Sequence, residues 1–313
     1  MPVLAYIVFQ HPSVQTYFAK RFAHVISQNL GTEVNVGKAY FVFFDRLILR
    51  DVYILYNQSD TLISANKISA TFALSDLLHS NLKFKSVKLD NGVFNLISET
   101  KKSTNLDRVF KTKEKSKKSG GKGGELNINS LSVTNFRFRL YNPYTGSIDY
   151  GPDYINFSNL NIKDINIEIR NIRNSKDTLF ANLKMLSAKD VSGFRVDEMH
   201  GKISISKNEA RISNLFINDG FTKLNAEHFS FYYETAKDFA DFTNKIKMEL
   251  NLNDTYFSFR TIGKITPSLK NNLLGVHLKG YAAGNLSSIS TKDLIATSES
   301  GFSSLTLNSR ISG

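Results

Sequence analysis

LNINSLSVTNFRFRL, from Leu126 to Leu140, sets its apolar residues in pairs: Leu126 with Ile128, Leu131 with Val133, Phe136 with Phe138. Within a pair the spacing is two, the repeat that keeps side chains on one face of a β-strand. From one pair to the next it is three, so the parity flips. A strand that holds all these pairs on one face needs an extra residue at each flip, which a β-bulge supplies together with a bend. A tight turn flips the parity in the same way. Either device gives a curved sheet with one continuous apolar face.

The phrase recurs. Val42/Phe44, Leu47/Leu49 and Val52/Ile54 keep its spacing, and so do Ile155/Phe157, Leu160/Ile162 and Ile165/Ile167. Leu82/Phe84, Val87/Leu89 and Phe94/Leu96 form a third copy, with extra residues at Asn91-Gly92. Weaker copies run through Ala210/Ile212, Leu215/Ile217 and through Leu286, Ile289/Thr291, Leu294. Asp90-Asn91-Gly92 and Asn218-Asp219-Gly220 are hairpin signals. The units begin near 42, 82, 126, 155, 181 and 210, which are 26 to 44 residues apart. Solenoid-like growth fits these intervals, and a closed sandwich of ordinary strands fits them equally well.

Composition limits the classes of function. Of 313 residues, 41% are apolar and 22% charged, within the range of an ordered globular chain. Cysteine is absent, which excludes disulfides, thiolate zinc sites and cysteine nucleophiles. The net charge is +12, and half of that excess lies between Lys101 and Glu125, where nine basic residues meet three acidic ones. This segment, 101–125, ends in a Lys/Ser/Gly tract without apolar period and reads as a basic flexible loop between strands. It is either a solvated linker or a segment drawn to anionic headgroups, at about 1 kcal/mol per basic residue.

MPVLAYIVF at the start is too short to cross a hydrocarbon core, which needs about 20 apolar residues, and it lacks the marks of a secretory signal. From Ser13 the period changes: Val14, Tyr17, Phe18, Arg21, Phe22, Val25, Ile26 and Leu30 recur three and four apart. Residues 13–30 therefore read as an amphipathic helix, capped by Ser13 and stopped by Gly31. From 31 to 313 the alternation has period two, with short helical exceptions at Ser75–His79 and Thr235–Asn244.

No catalytic constellation emerges. The histidines at 11, 24, 79, 200, 228 and 277 are scattered, with no H-E-x-x-H and no pair at metal-ligand spacing. SGGKGGE from Ser119 lacks the Walker spacing, and there is no G-x-S-x-G elbow. Asp238 and Asp241 have no partner histidine. The expectation is a chain that is not an enzyme, with no catalytic residue, no metal and no cofactor. Nucleic-acid binding would need aromatics and cations on one exposed face. Here Phe136 and Phe138 share the apolar parity while Arg137 and Arg139 take the other, so no nucleic-acid partner is expected.

The order of these segments resembles a known family. Pro12-Ser13-Val14-Gln15-Thr16, NLGTEVNVGKAYFVFFDRLILRDVYI, SDTLISANKISATF, LKFKSVKLDNGVFNL and Asn105-Leu106 are similar to the amino-terminal part of TamB, the translocation and assembly module subunit of the AsmA-like family, in its Bacteroidota form. YYETAKDFADFTNKIKMELNLNDTYFSF and VHLKGYAAGNLSSISTKDL, with Gly280 and Gly284, resemble the family's short helix followed by a glycine-punctuated strand pair. The resemblance covers essentially the whole chain and rests on the order of many weak motifs. Family members carry a membrane helix ahead of the position of Pro12 and continue for many hundreds of residues. Residues 1–12 would thus be the apolar remnant of a membrane anchor, and the chain a fragment or a shortened reading frame.

What the resemblance implies is an inner-membrane-anchored protein with a periplasmic body. Its fold would be mainly β: an elongated, curved, repeat-built antiparallel β-groove over 31–313 with an N-terminal amphipathic helix. Its function would be the carriage of phospholipid between inner and outer membranes, and a TamA-type outer-membrane barrel is an implied partner. The lipid would lie along the repeated apolar positions Leu47, Leu49, Val87, Leu89, Leu131, Val133, Phe136, Phe138, Leu160, Ile162, Leu215 and Ile217. Each of these is equally an ordinary core position. The alternative function is a scaffold that lends a sheet edge to outer-membrane proteins during assembly and secretion.

Overall fold

The computed structural model describes residues 11–30, 32–43, 45–57, 60–72, 83–101, 103–110, 127–144, 148–235, 238, 245–285 and 287–312. The chain divides into two compact units, one of residues 1–147 with 157–166, the other of 148–156 with 167–313. The protein is mainly β, and its strands pair mostly antiparallel in open sheet.

The first unit starts with helix α1 (Pro12–Leu30). Strands β1 (Asn35–Val42), β2 (Arg46–Leu55), β3 (Thr61–Phe72) and β4 (Lys83–Thr100) then form an antiparallel meander. A short β5 (Ser103–Thr104) folds back on β4, and helix α2 (Asn105–Phe110) follows. Two strands return parallel to β4: β6 (Asn127–Ile128) and β7 (Leu131–Tyr141). This parallel step departs from an antiparallel order throughout. A parallel neighbour needs a connection of about a dozen residues or more, and the stretch from Lys101 to Ser130 is long enough to supply one.

Helix α2 also corrects the reading of 101–125 as a loop along its whole length. The Asp107 carboxylate accepts from the Thr104 backbone N–H at 2.7 Å, holding the first turn as a cap does. The fully buried Asn105 side chain accepts from Ile97 N at 3.0 Å and donates to Asn95 O at 2.8 Å. It mimics a strand partner and fixes the helix against β4, so that Val109 closes onto the core.

Residues 1–10, 73–82, 102 and 111–126 lie outside the described residues, as do Phe44, Leu286 and all but Thr235 and Asp238 of 235–244. All but His11 and Pro12 of the expected anchor remnant 1–12, the two expected short helices and most of the basic loop fall there. The side chains of Phe18, Arg21, Phe22, Val25, Ile26 and Leu30 are likewise outside. Among the described residues no helix is long and apolar enough to cross a membrane.

Strand β8 (Asn159–Ser175) gives its first half to the first unit and its second half to the second. The second unit continues with β9 (Thr178–Asp190), β10 (Arg195–Ile205), β11 (Glu209–Asn218), β12 (Lys223–Tyr232) and β13 (Lys247–Ser258). After helix α3 (Phe259–Gly263) come β14 (Gly275–Asn285) and β15 (Ser288–Ser298). From β9 to β15 each strand pairs antiparallel with the next, and the short β16 (Ser304–Leu307) and β17 (Arg310–Ser312) both lie on β15.

The cores of the two units differ. In the first, Phe41, Leu47, Leu49, Leu62, Phe72, Phe84 and Val109 belong to one buried cluster. Rings of Phe41, Phe72 and Phe84 meet edge to face at 6.2 and 6.4 Å, a geometry that aromatic quadrupoles favour. In the second unit the buried centre of the cluster is only Leu215, Ala226 and Leu252, with partly buried Met199, Ile212, Phe229, Leu250 and Leu278 around it.

Candidate functional site

The parity flips fall on residues with left-handed backbone. Asp51 has φ 54°, Asn91 φ 53°, Asn135 φ 52°, Asp164 φ 53°, Asn214 φ 51° and Asp293 φ 50°. This region costs most L-residues about 1–2 kcal/mol, and Asn and Asp enter it more readily than other side chains. In the first unit the register aligns these steps across the sheet. The flanking pairs Val36 with Val52 and Lys38 with Arg50 put Gly37 opposite Asp51. By the same count Asp51 faces Asn66, Asn66 faces Asn91, and Asn91 faces Asn135.

Asp51, Asn91 and Asn135 take the left-handed step opposite Gly37 and Asn66, and the register runs through this level without a shift, so no strand carries a surplus residue there. The device is a crease running across β1, β2, β3, β4 and β7, not a bulge in one of them. Asn135 Nδ2 donates to Asn91 Oδ1 at 2.6 Å, and the Asn135 backbone N–H donates to Asn166 Oδ1 at 3.1 Å. Asp90-Asn91-Gly92 is therefore not a hairpin: β4 runs straight through it. The left-handed step turns the face without reversing the chain. Gly92 is required beside it, because a Cβ there would lie 2.2 Å from the Phe136 ring. Asn218-Asp219-Gly220, by contrast, does connect β11 to β12 as a hairpin.

The crease keeps apolar residues on one face, in rows that cross the strands. Phe41, Leu47, Ala70, Val87 and Leu131 make one row, and Ala39, Leu49, Ile68, Leu89 and Val133 the next. Beyond the crease come Val52, Ala65, Gly92 and Phe136, then Ile54, Ile63, Phe94 and Phe138. The Phe94 and Phe138 rings are 5.6 Å apart. Eight of the expected lining positions thus stand together.

Their exposure is unequal. Leu47 and Leu49 are 2% exposed and sit inside the packed core. Phe136 is also buried, whereas Val87, Leu89, Leu131, Val133 and Phe138 are half-buried. The face is sealed at β2 and opens toward β7. Leu160 and Ile162 are half-buried on β8. Leu160 helps line an open recess of about 520 Å³ with Tyr56, Leu96 and Leu140 on its apolar side.

In the second unit the step is made by bulges. Between the pairs of His200 with Phe216 and Lys202 with Ser213, Gly201 alone faces Asn214 and Leu215. Gly280 likewise stands against Asp293 and Leu294. Its φ is 133°, and a Cβ there would lie 2.2 Å from the Asp293 carbonyl oxygen. To one side of this line two apolar rows cross the sheet. Leu179, Ile205, Ala210, Phe231, Met248, Gly284 and Ile289 form the first; Ala181, Ile203, Ile212, Phe229, Leu250, Ala282 and Thr291 form the second.

In these rows only Ala181 is buried; the others are half-buried or exposed. The Phe229 and Phe231 centroids lie 4.4 Å apart. Of the expected positions in this unit, Leu215 is buried beside the bulge, and Ile217 is partly buried against the same cluster. Sequence reasoning missed Ile203, Ile205, Phe229, Phe231, Met248 and Leu250. Their signal was plain alternation in KISIS, HFSFYY and MELNL, which lacks the parity flip that marked the other segments.

The opposite face of this sheet is polar. His228, Ser230 and Tyr232 alternate with Phe229 and Phe231 along β12, and successive side chains point to opposite faces. His228 Nε2 and Glu249 Oε1 are 2.9 Å apart, and Tyr232 donates to the other carboxylate oxygen at 3.0 Å. The hydrogen bond with His228, followed by that from Tyr232, holds the Glu249 carboxyl below its ordinary value against the opposing effect of burial. Arg211 bonds Glu209 at 2.8 Å and Tyr232 at 3.4 Å. These groups bind strand to strand. Among the described residues no three His, Asp or Glu come together as a metal site.

In the second unit, then, apolar rows occupy one face and hydrogen-bonded polar groups on the other hold the strands together. No protein-family model matches the chain, and no curated protein matches it.

Proposed function

We propose that this protein is a non-enzymatic carrier of phospholipid, a repeat-built, curved β-groove that shelters acyl chains on the apolar rows of its sheets. The resemblance to the TamB family supports a periplasmic body anchored in the inner membrane, bridging toward the outer membrane. The observation that carries the reading is the pair of rows across β9 to β15. Globular cores bury such side chains, yet Phe229, Phe231, Met248 and Leu250 remain half-buried, as a surface that waits for apolar cover does. A lipid with about 30 methylenes in its tails loses on the order of 20 kcal/mol on entering water. An apolar face lowers that barrier without any reacting group.

Native mass spectrometry of gently purified protein tests this. Phospholipid should be retained by the parent chain and lost from the double variant Phe229→Asp, Leu250→Asp, with the β signal in circular dichroism unchanged. A parent that retains no lipid, or a variant that retains as much, sinks the reading. Crosslinks from sheet edges to barrel strands, with no lipid found, would favour the assembly scaffold beside a TamA-type barrel.

A further inference from the structure

In the antiparallel run from β9 to β15, the connections at 190–194, 219–222 and 259–274 all fall at the same end of the strands. Each carries exposed apolar side chains: Val191, Phe221, Ile265, Leu273 and Leu274, the last two 64% and 65% exposed. The connections that carry them are joined by polar braces. Thr261 Oγ1 donates to Asp219 Oδ2 at 2.5 Å and is 2.7 Å from Thr222 Oγ1. Lys264 Nζ donates to Ser192 O at 3.1 Å, tying the longest connection to the β9–β10 turn. Ile155 N donates to Lys264 O at 2.8 Å. The tips are thus presented on a fixed support, which reduces the ordering cost of docking.

Charge bears on the partner. The connection Phe259 to Leu274 contains Arg260, Lys264 and Lys270 and no acidic residue; of the carboxylates at this end, Asp190 and Asp219 are buried, Asp153 bonds Lys270, and Glu299 accepts from Tyr256 at 3.2 Å. The Arg260 guanidinium lies over the Phe221 ring at 5.5 Å, so cation and apolar tip are presented together. Lys270 bonds Asp153 at 3.0 Å, with both side chains still about half exposed or more. Aliphatic and aromatic tips beside cations match the boundary of a bilayer, where apolar side chains enter below the headgroups and basic groups meet anionic ones.

We infer that this end of the second unit docks on an anionic lipid surface, with Leu273, Leu274 and Phe221 entering the headgroup boundary and Arg260 and Lys270 facing the phosphates. The inference stands apart from the proposed lipid groove, since it uses the turns and not the rows.

The chain has no tryptophan, so one introduced residue reports on its own position. Leu273→Trp in the full chain should shift its emission to the blue with vesicles of phosphatidylcholine plus phosphatidylglycerol. Lys207→Trp, in the β10–β11 turn at the other end, should not. The double variant Leu273→Asp, Leu274→Asp should weaken cosedimentation with these vesicles by about tenfold or more. Phe229→Asp with Leu250→Asp should bind vesicles as the parent does, even where it loses co-purified lipid.

The inference is overturned by vesicles that pellet the chain with no shift at Leu273→Trp, which would place binding elsewhere, for instance in 101–125. It is overturned equally by the same shift at Lys207→Trp, or by a double Asp variant that pellets as well as the parent. Capture of a protein on this end without vesicle binding overturns it too.

Discussion

At Asn135 the backbone holds φ 52° while the side chain bonds Asn91 and the backbone N–H bonds Asn166. Conformation and hydrogen bonds both select asparagine there, and the two contributions can be separated. Glycine keeps the conformation and loses the side-chain bond; valine loses both and adds a β-branched clash in the left-handed region. Asn135→Val should cost about 2–3 kcal/mol and Asn135→Gly about 1 kcal/mol or less, read from urea unfolding of the β signal. Equal costs would mean that the left-handed step is not what the position requires.

Glu249 gives a pH-dependent counterpart. Its carboxyl lies below the ordinary value because of its hydrogen bonds with His228 and Tyr232. A lowered folded-state value means stability that is present above the unfolded value and lost as the pH falls through the folded one. Glu249→Gln should therefore destabilise at pH 7 by about 1 kcal/mol. The gap between parent and variant should close as the pH drops below about 4.3. Urea midpoints at a series of pH values measure it, and a gap that persists or widens in acid would contradict the assignment.

Among the elements, β2 and β13 present apolar residues at similar spacing but in different surroundings. Leu49 is sealed in the first unit's core, whereas Leu250 is half-buried in an open row. Leu49→Ala should cost about 2–5 kcal/mol, in the range for a buried leucine replaced in a packed core. Leu250→Ala should cost about 1–2 kcal/mol, because less area leaves water when that residue folds. Comparable losses at the two positions in chemical denaturation would mean that the open row is in fact covered. The contrast also decides which lining positions can test lipid carriage: a charge at Leu47 or Leu49 would unfold the unit before it blocked anything.

The same contrast shows how far the sequence could be read. Apolar pairs and parity flips identified the shared face, and the residue at each flip, Asp51, Asn91, Asn135 or Asn214, is one that tolerates left-handed backbone. The spacing could not tell a crease from a hairpin at Asn91-Gly92. That choice depends on whether the neighbouring strands step at the same level, and Gly37, Asn66 and Asn135 come from distant parts of the chain. Nor does periodicity tell a sealed face from an open one. Leu49 and Leu250 both stand in period-two alternation with apolar neighbours at i−2, Leu47 and Met248, and what packs over them differs.

For the molecule as a whole, two bulk properties bear on the proposed lipid carriage, an apolar face and a net charge of +12, half of it between 101 and 125. They act over different distances. Contact with an acyl chain is short-ranged and indifferent to salt, while attraction between the basic segment and an anionic bilayer is screened beyond about 10 Å at 0.1 M salt. Movement of a fluorescent phospholipid between anionic vesicles should therefore respond differently to two sets of changes. Phe229→Asp with Leu250→Asp should suppress transfer about tenfold or more at every salt concentration. Replacing Lys111, Lys113, Lys115, Lys117, Lys118 and Lys122 by serine takes the net charge from +12 to about +6. This should slow transfer severalfold at low salt and leave it unchanged where screening already removes the attraction. A lysine effect that survives high salt would mean those residues contact the lipid itself, and a row effect that disappears with salt would remove the apolar face from the transport path.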